Sequence, residues 1–203
     1  CNPFALMLYR SPRECGADIA VGEGQPLGMP LSFGGPYLGY MACTDAMTRK
    51  LPGRIVGQTT DLDGKRCFVL TLQAREQHIR REKASSNVCS NQAHCALTAS
   101  VYLATMGEQG MSEVAHQCRA KAHYAAGKIS ALPGFELIHQ GEFFHEFVTG
   151  CPIPAGELEA RLAAKGILGG LPLEDNRMLW CVTEMNTKEE IDTLVSLLRE
   201  VAK

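Results

Sequence analysis

Apolar residues follow two rhythms along the chain. Up to about residue 111 they come mostly in short runs between glycines and prolines. "ADIAV" (17–21) predicts a buried strand of a parallel sheet, and "GYMACT" (39–44) predicts the next strand. "GRIVGQTTDLDGKRCFVLTLQ" (53–73) predicts a β-hairpin with Asp63-Gly64 at its turn. Helical spacing then takes over. Val88, Ala93, Cys95, Ala96, Ala99, Val101 and Leu103 mark a helix over 88–106, with Asn87 as its N-cap. "GEQG" (107–110) breaks it, and a second helix is expected over 111–131, with Ser112 as a cap and "LPG" as its end.

The remainder alternates faster. "FELIH" and "HEFVTG" predict strands. "PAGELEARLAAKG" predicts a helix closed by Gly166. "RMLWCVT" predicts a further strand, and "NTKEEIDTLVSLLREVAK" an amphipathic helix capped by Asn186 or Thr187. The expected organisation is therefore two regions. Residues 112–203 form a compact α/β unit. Residues 1–111 look like part of a larger layer, with too few helices of their own to cover a sheet. No internal repeat, low-complexity tract or linker separates them.

Composition narrows the function classes. Of 203 residues, 45% are apolar and 21% charged, with a net charge of −2. A core can form, and neither nucleic acid nor a membrane surface is an expected partner. No apolar run approaches the ~20 residues of a membrane span, and the opening stretch lacks the basic start of a secretory signal. The nine cysteines (1, 15, 43, 67, 89, 95, 118, 151 and 181) are odd in number and have no CxxC spacing. Cys67 and Cys181 lie in apolar contexts. Buried free thiols in a reducing, cytoplasmic setting are expected. The abrupt "CNPFALML" start, without Met, leads us to expect an upstream half.

Few motifs carry chemistry. "GEGQPLGMPLSFGGPYLG" (22–39) holds six glycines and three prolines and no Lys, Arg, His or Asp. Its Gly22, Gly24 and Gly28 are misspaced for a dinucleotide fingerprint, and Pro26 falls where the helix would start. There is no P-loop and no GxSxG elbow. His78 and Glu82 have helical spacing but form no zinc signature, so no metal site is expected. "QAREQHIRREKASSN" (73–87) is the densest polar stretch. Arg75, His78, Arg80, Arg81 and Lys83 face Glu76 and Glu82 there, ahead of Ser85, Ser86 and Asn87. Hydroxyls, an amide and free N–H groups at a helix start suit an anion, and they equally suit simple capping.

Two stretches together resemble a known family. "GADIAVGEGQPLGMPLSFGGPYLGYMA" and "RKLPGRIVGQTTDLDGKRCFVLTLQAREQHIRREKASSNVCSNQA" are similar to the glycine decarboxylase P-protein of the glycine cleavage system. The likeness is to the C-terminal half of the first (alpha) subunit of its two-subunit bacterial form. The family normally has Thr where Ser85 stands, and its "DPxxL" reads "NPFAL" here.

The resemblance implies a pyridoxal-phosphate enzyme of fold type I, with a mostly parallel seven-stranded large domain and a small C-terminal α/β domain. Residues 1–111 would end the large domain and 112–203 would form the small one. In the family's catalytic half, the matching loop carries a His-Lys-Thr run whose lysine holds the cofactor as a Schiff base. Aligning the loops on Gly34-Gly35-Pro36 puts Gln25 at that lysine, and none of the eight lysines lies between residues 1 and 49. An amide cannot form an imine, so the resemblance implies no catalytic residue here.

It also implies that the cofactor belongs to a second, lysine-bearing subunit, two of each in the assembly. Ser85, Ser86 and Asn87 would contact the cofactor phosphate in trans. Gly34 and Gly35 would lie near it, and the cluster 75–83 would brace the loop through ion pairs. The implied reaction decarboxylates glycine and passes its aminomethyl group to the lipoyl arm of H-protein. Two other readings stand beside it: an inert scaffold subunit without cofactor contact, and a self-sufficient thiol enzyme.

Overall fold

The computed structural model describes residues 1–53, 55–71, 76–84 and 92–201. The chain divides into two compact units, Cys1–Thr105 and Met106–Lys203.

The first unit is built from two antiparallel ribbons. Strand β1 (Ile19–Glu23) pairs with β2 (Gly39–Cys43), in register Val21 to Met41 and Gly22 to Tyr40. Gly22 has to be glycine, because a Cβ there would collide with the Tyr40 ring and the Cys1 carbonyl. The expected buried parallel strand over 17–21 is thus corrected. The strand is antiparallel, with Ile19 and Val21 exposed and only Ala20 and Gly22 partly covered. The physical reason is local. One Glu23 carboxylate oxygen accepts the N–H of Gln25 (2.9 Å) and of Leu38 (2.7 Å), which ties the two strand ends together and favours the fold-back.

The second ribbon pairs β3 (Ile55–Thr60) with β4 (Arg66–Thr71). Asp61 Oδ1 accepts the N–H of Asp63 and of Lys65, both at 2.9 Å, and Gly64 adopts φ 75° at the turn. Helix α1 (Gln77–Arg80) and a 3-10 turn (Arg81–Lys83) follow.

Helix α2 (Ala93–Ser130) is interrupted at Gly107, whose φ 61° and ψ −176° are open essentially to glycine alone. The break foreseen at 107–110 therefore occupies one residue, and Ser112 lies inside the helix rather than capping it. The described helix begins at Ala93. Asn87, read as its N-cap, lies outside the described residues.

In the second unit, Ala115, Cys118, Ala122, Ala125, Ala126 and Ile129 form the buried stripe of α2. Most of this stripe packs with a three-stranded antiparallel sheet in the order β5 (Glu146–Gly150), β7 (Arg177–Cys181), β6 (Leu171–Leu173). "FELIH" supplies only a bridge, Leu137 to Thr149, instead of the expected strand, while the unforeseen β6 takes the other edge. Phe147 and Thr149 of β5, with Met178 and Trp180 of β7, point inward. The indole of Trp180 donates to Thr149 Oγ1 at 2.9 Å in this core.

Helix α3 (Ala155–Ala164) buries Leu158 and Leu162 and ends in a Schellman motif. Gly166 N–H meets Ala163 O (2.9 Å), and Ile167 N–H meets Leu162 O (3.0 Å). Helix α4 (Lys188–Val201) opens with a reciprocal capping box: Glu190 N–H to Thr187 Oγ1 (3.1 Å) and Thr187 N–H to Glu190 Oε2 (2.7 Å). Thr187 is therefore the cap. Asn186 instead accepts the N–H of Thr183.

Candidate functional site: the Gly24–Leu38 loop

The loop joining β1 to β2 is the one sequence-predicted site that the described residues contain. Its base is fixed by Glu23 and by the Gly24 N–H to Leu38 O bond (2.7 Å). Leu27 is buried. Gly28 turns the chain at φ 84°, against the side chain of Tyr102, where an added Cβ would sit at 3.0 Å. Beyond it the chain passes through Pro30 to a tip in which four successive residues have positive φ: Ser32 (49°), Phe33 (46°), Gly34 (135°) and Gly35 (118°). Left-handed backbone is uncommon for a bulky residue such as Phe and is held only where surrounding contacts enforce it.

Gln25 supplies such contacts. Its side-chain Nε2 donates to the carbonyls of Pro30 (2.9 Å) and Leu31 (3.0 Å), so both amide hydrogens are spent inside the loop. A third bond, Met29 N–H to Gln25 O (3.2 Å), closes the same turn. Sequence reasoning placed Gln25 at the cofactor-lysine position and missed this clasp. Nothing in the local sequence signals a side-chain bond to carbonyls five and six residues ahead. Gly34 and Gly35 lie at the tip. Among the described residues, the backbone amides of 32–35 make no hydrogen bond to another backbone group, which leaves a run of N–H donors at the tip.

Between the loop and the first turns of α2 lies a pocket of about 320 Å³. Met29, Pro30, Ser32 and Pro36 line one side, and Gln92, His94, Cys95 and Thr98 the other. Ser85, Ser86 and Asn87, the predicted phosphate contacts, lie outside the described residues, as does Arg75 of the basic cluster. His78, Arg80, Arg81, Glu82 and Lys83 are exposed, while Glu76 is buried.

The loop does not fit a covalently held aldehyde cofactor. The Gln25 amide nitrogen is not nucleophilic, and no lysine occurs before Lys50. Three thiols of the second unit are likewise not activated. Burial pushes the Cys118 thiol up to about 12, with Glu184 beside it, and pushes Cys151 up to about 11. Cys181 is also raised by burial, although its side of β7 is exposed rather than buried as its apolar context suggested. These shifts oppose the acidity that a nucleophilic thiol needs. The eight described cysteines are free thiols. No helix among the described residues is long and apolar enough to cross a membrane.

Comparison with known proteins gives this geometry its setting. A profile of the glycine cleavage system P-protein family matches residues 1–198. The probable glycine dehydrogenase (decarboxylating) subunit 1 of Moorella thermoacetica is 55% identical over 206 residues, covering 98% of this chain and 46% of that protein. The chain thus spans about half the length of the curated relatives it matches. The crystal structure of glycine decarboxylase (P-protein) of the glycine cleavage system, in an inhibitor-bound form, superposes with a TM-score of 0.93 at 40% identity, over 98% of this chain and 47% of that one.

A glutamate decarboxylase of Lactobacillus brevis shares the fold alone, with a TM-score of 0.62 at 17% identity over 93% of this chain and 41% of its own. These neighbours are pyridoxal-phosphate enzymes of fold type I, the fold class expected from the sequence. The chain belongs to the glycine cleavage system P-protein family.

Proposed function

We propose that this chain is the part of a heteromeric glycine decarboxylase that lacks the cofactor lysine, working at a site completed by a second subunit. The observation that carries the reading is Gln25. It stands in a loop with the glycine-rich path of a cofactor loop, yet its amide is committed to Pro30 and Leu31 and can hold no aldehyde. A subunit that keeps the loop and lacks the amine is suited to a shared site. The relatives' designation as subunit 1 fits that division.

Pyridoxal phosphate, which a lysine of the second subunit would hold, would supply an electron sink for the decarboxylation of glycine. The residues of this chain position and enclose. The N–H donors of the tip, Gly34 and Gly35 among them, face the shared site. Ser85, with Ser86 and Asn87, donates to the cofactor phosphate in trans, where hydroxyl and amide donors match a dianion. The lipoyl arm of H-protein would be the acceptor of the aminomethyl group. The site works in the cytoplasm, with residues 1–111 as the end of the large domain and residues 112–203 as the small domain.

The test is release of labelled CO2 from carboxyl-labelled glycine. This chain alone should release none. Mixed with the second subunit, pyridoxal phosphate and lipoylated H-protein it should, and Ser85→Ala should raise the cofactor concentration needed for half-maximal rate. Activity of the chain alone, or a Ser85→Ala complex with unchanged cofactor dependence, contradicts the proposal.

A further inference from the structure

A relay of hydrogen bonds runs from the end of β1 to the loop tip, and Gln25 is its middle link. Glu23 Oε1 accepts the N–H of Gln25 (2.9 Å) and of Leu38 (2.7 Å), so the backbone at position 25 is fixed where the loop leaves the ribbon. The Gln25 carbonyl accepts Met29 N–H (3.2 Å), and its side chain spends both amide hydrogens on the carbonyls of Pro30 (2.9 Å) and Leu31 (3.0 Å). The side chain is therefore directed into its own loop. The two carbonyls it grips immediately precede 32–35, where four residues in succession have positive φ and, among the described residues, the amides bond to no other backbone group. Backbone of that kind is uncommon and relaxes unless neighbouring contacts hold it. Amide donors already in place bind an anion better than mobile ones, because no ordering remains when the anion arrives. All of these bonds are internal to the loop and hold whichever chain lies against it.

We infer that Gln25 is a positioning residue of the shared site, holding the amides of residues 32–35 in the arrangement that receives the cofactor phosphate. The inference rests on the shared-site reading above and adds to it a role for the residue standing at the lysine position. Two consequences separate this role from that of a vestige, a residue tolerated only because the lysine is no longer needed. First, the two side-chain donors matter, so their loss loosens the tip. Gln25→Glu keeps size and shape and sets a carboxylate against two carbonyl oxygens. Second, restoring an amine does not restore cofactor attachment. The ammonium of Gln25→Lys meets the same two carbonyls that now accept the amide, and a protonated amine held there is not a nucleophile.

The test uses the complex of this chain with the second subunit. Equilibrium dialysis of pyridoxal phosphate reads cofactor affinity, and amide hydrogen exchange across residues 29–35 reads loop order. Gln25→Glu should raise the cofactor Kd by roughly 5- to 150-fold, the range for two lost hydrogen bonds. It should also speed exchange across 29–35 while the β1–β2 pairing exchanges as in the parent. Gln25→Leu, which lacks the donors without adding charge, repeats the measurement should Gln25→Glu disturb the ribbon. Gln25→Lys, which keeps donors, should bind the cofactor nearly as the parent does and give no borohydride-trapped pyridoxyl adduct at position 25. A parent complex that binds pyridoxal phosphate no better than the second subunit alone overturns the shared-site reading and this inference with it. A parent complex that binds more tightly than the second subunit alone, matched by Gln25→Glu and Gln25→Leu, overturns the positioning role alone. So does faster loop exchange with an unchanged Kd, which is a structural role only, or an adduct on Gln25→Lys at position 25.

Discussion

Thr149→Val offers a quantitative check on the core of the second unit. The Trp180 indole N–H and the Thr149 hydroxyl are 3% and 0% exposed, and they meet at 2.9 Å. Valine has the shape and β-branching of threonine, so strand preference and packing persist while the acceptor disappears. Water cannot replace the lost partner at that depth. The cost is therefore that of an unsatisfied buried donor, about 1–3 kcal/mol. In a unit of this size each kcal/mol shifts the midpoint by about 4–8 °C, which gives a fall of roughly 4–24 °C.

The chain has a single tryptophan, so its fluorescence reports on this unit alone. Thermal and urea transitions followed at the indole emission provide the assay. A double-mutant cycle isolates the bond. In a Trp180→Phe background, followed by circular dichroism, the threonine hydroxyl has lost its donor, and the same Thr149→Val change should become neutral or stabilising. A shift under about 2 °C in the parent background, or an equal loss in both backgrounds, would show that this bond does not hold the sheet together.

Three further outcomes follow from the same packing. Thr187→Ala removes one arm of the α4 capping box and should cost about 0.5–2 kcal/mol, with faster amide exchange confined to the first turn of α4. His145 has its pKa lowered by burial, only partly offset by Glu146 and Glu184. The unfolded chain therefore binds this proton first. Stability should fall as pH drops below about 6.5 and through the folded value, and His145→Gln should flatten that slope in melts between pH 7.5 and 5. Cys118 and Cys151, raised to about 12 and about 11, should stay unmodified by iodoacetamide at pH 8 in the native chain and react on denaturation, as read by peptide mass.

The second unit was the more legible in sequence, for a physical reason: its signals are local. The alternation in "HEFVTG" and "RMLWCVT", the Gly166 stop and the Thr187–Glu190 pair each settle their own element within a few residues. The edges were harder. "FELIH" has strand composition but keeps only the Leu137–Thr149 bridge, while the three-residue β6, with a proline at its centre, carries no periodic signal. In the first unit, the apolar run 17–21 suggested burial on both faces. Its pairing, however, is set by Glu23, a charged residue reaching 15 positions along the chain to Leu38. The same limit hid the Gln25 clasp. Composition showed that the loop lacks reactive groups; only the fold shows what its amide grips.

The central claim is that the chemistry at this loop belongs to a lysine on another chain. Borohydride reduction after incubation with pyridoxal phosphate, followed by peptide mapping, tests it most directly. The account predicts no pyridoxyl adduct on this chain, alone or in complex, and a single adduct on a lysine of the second subunit when both are present. A stoichiometric adduct on any lysine of this chain, formed without the second subunit, would contradict it.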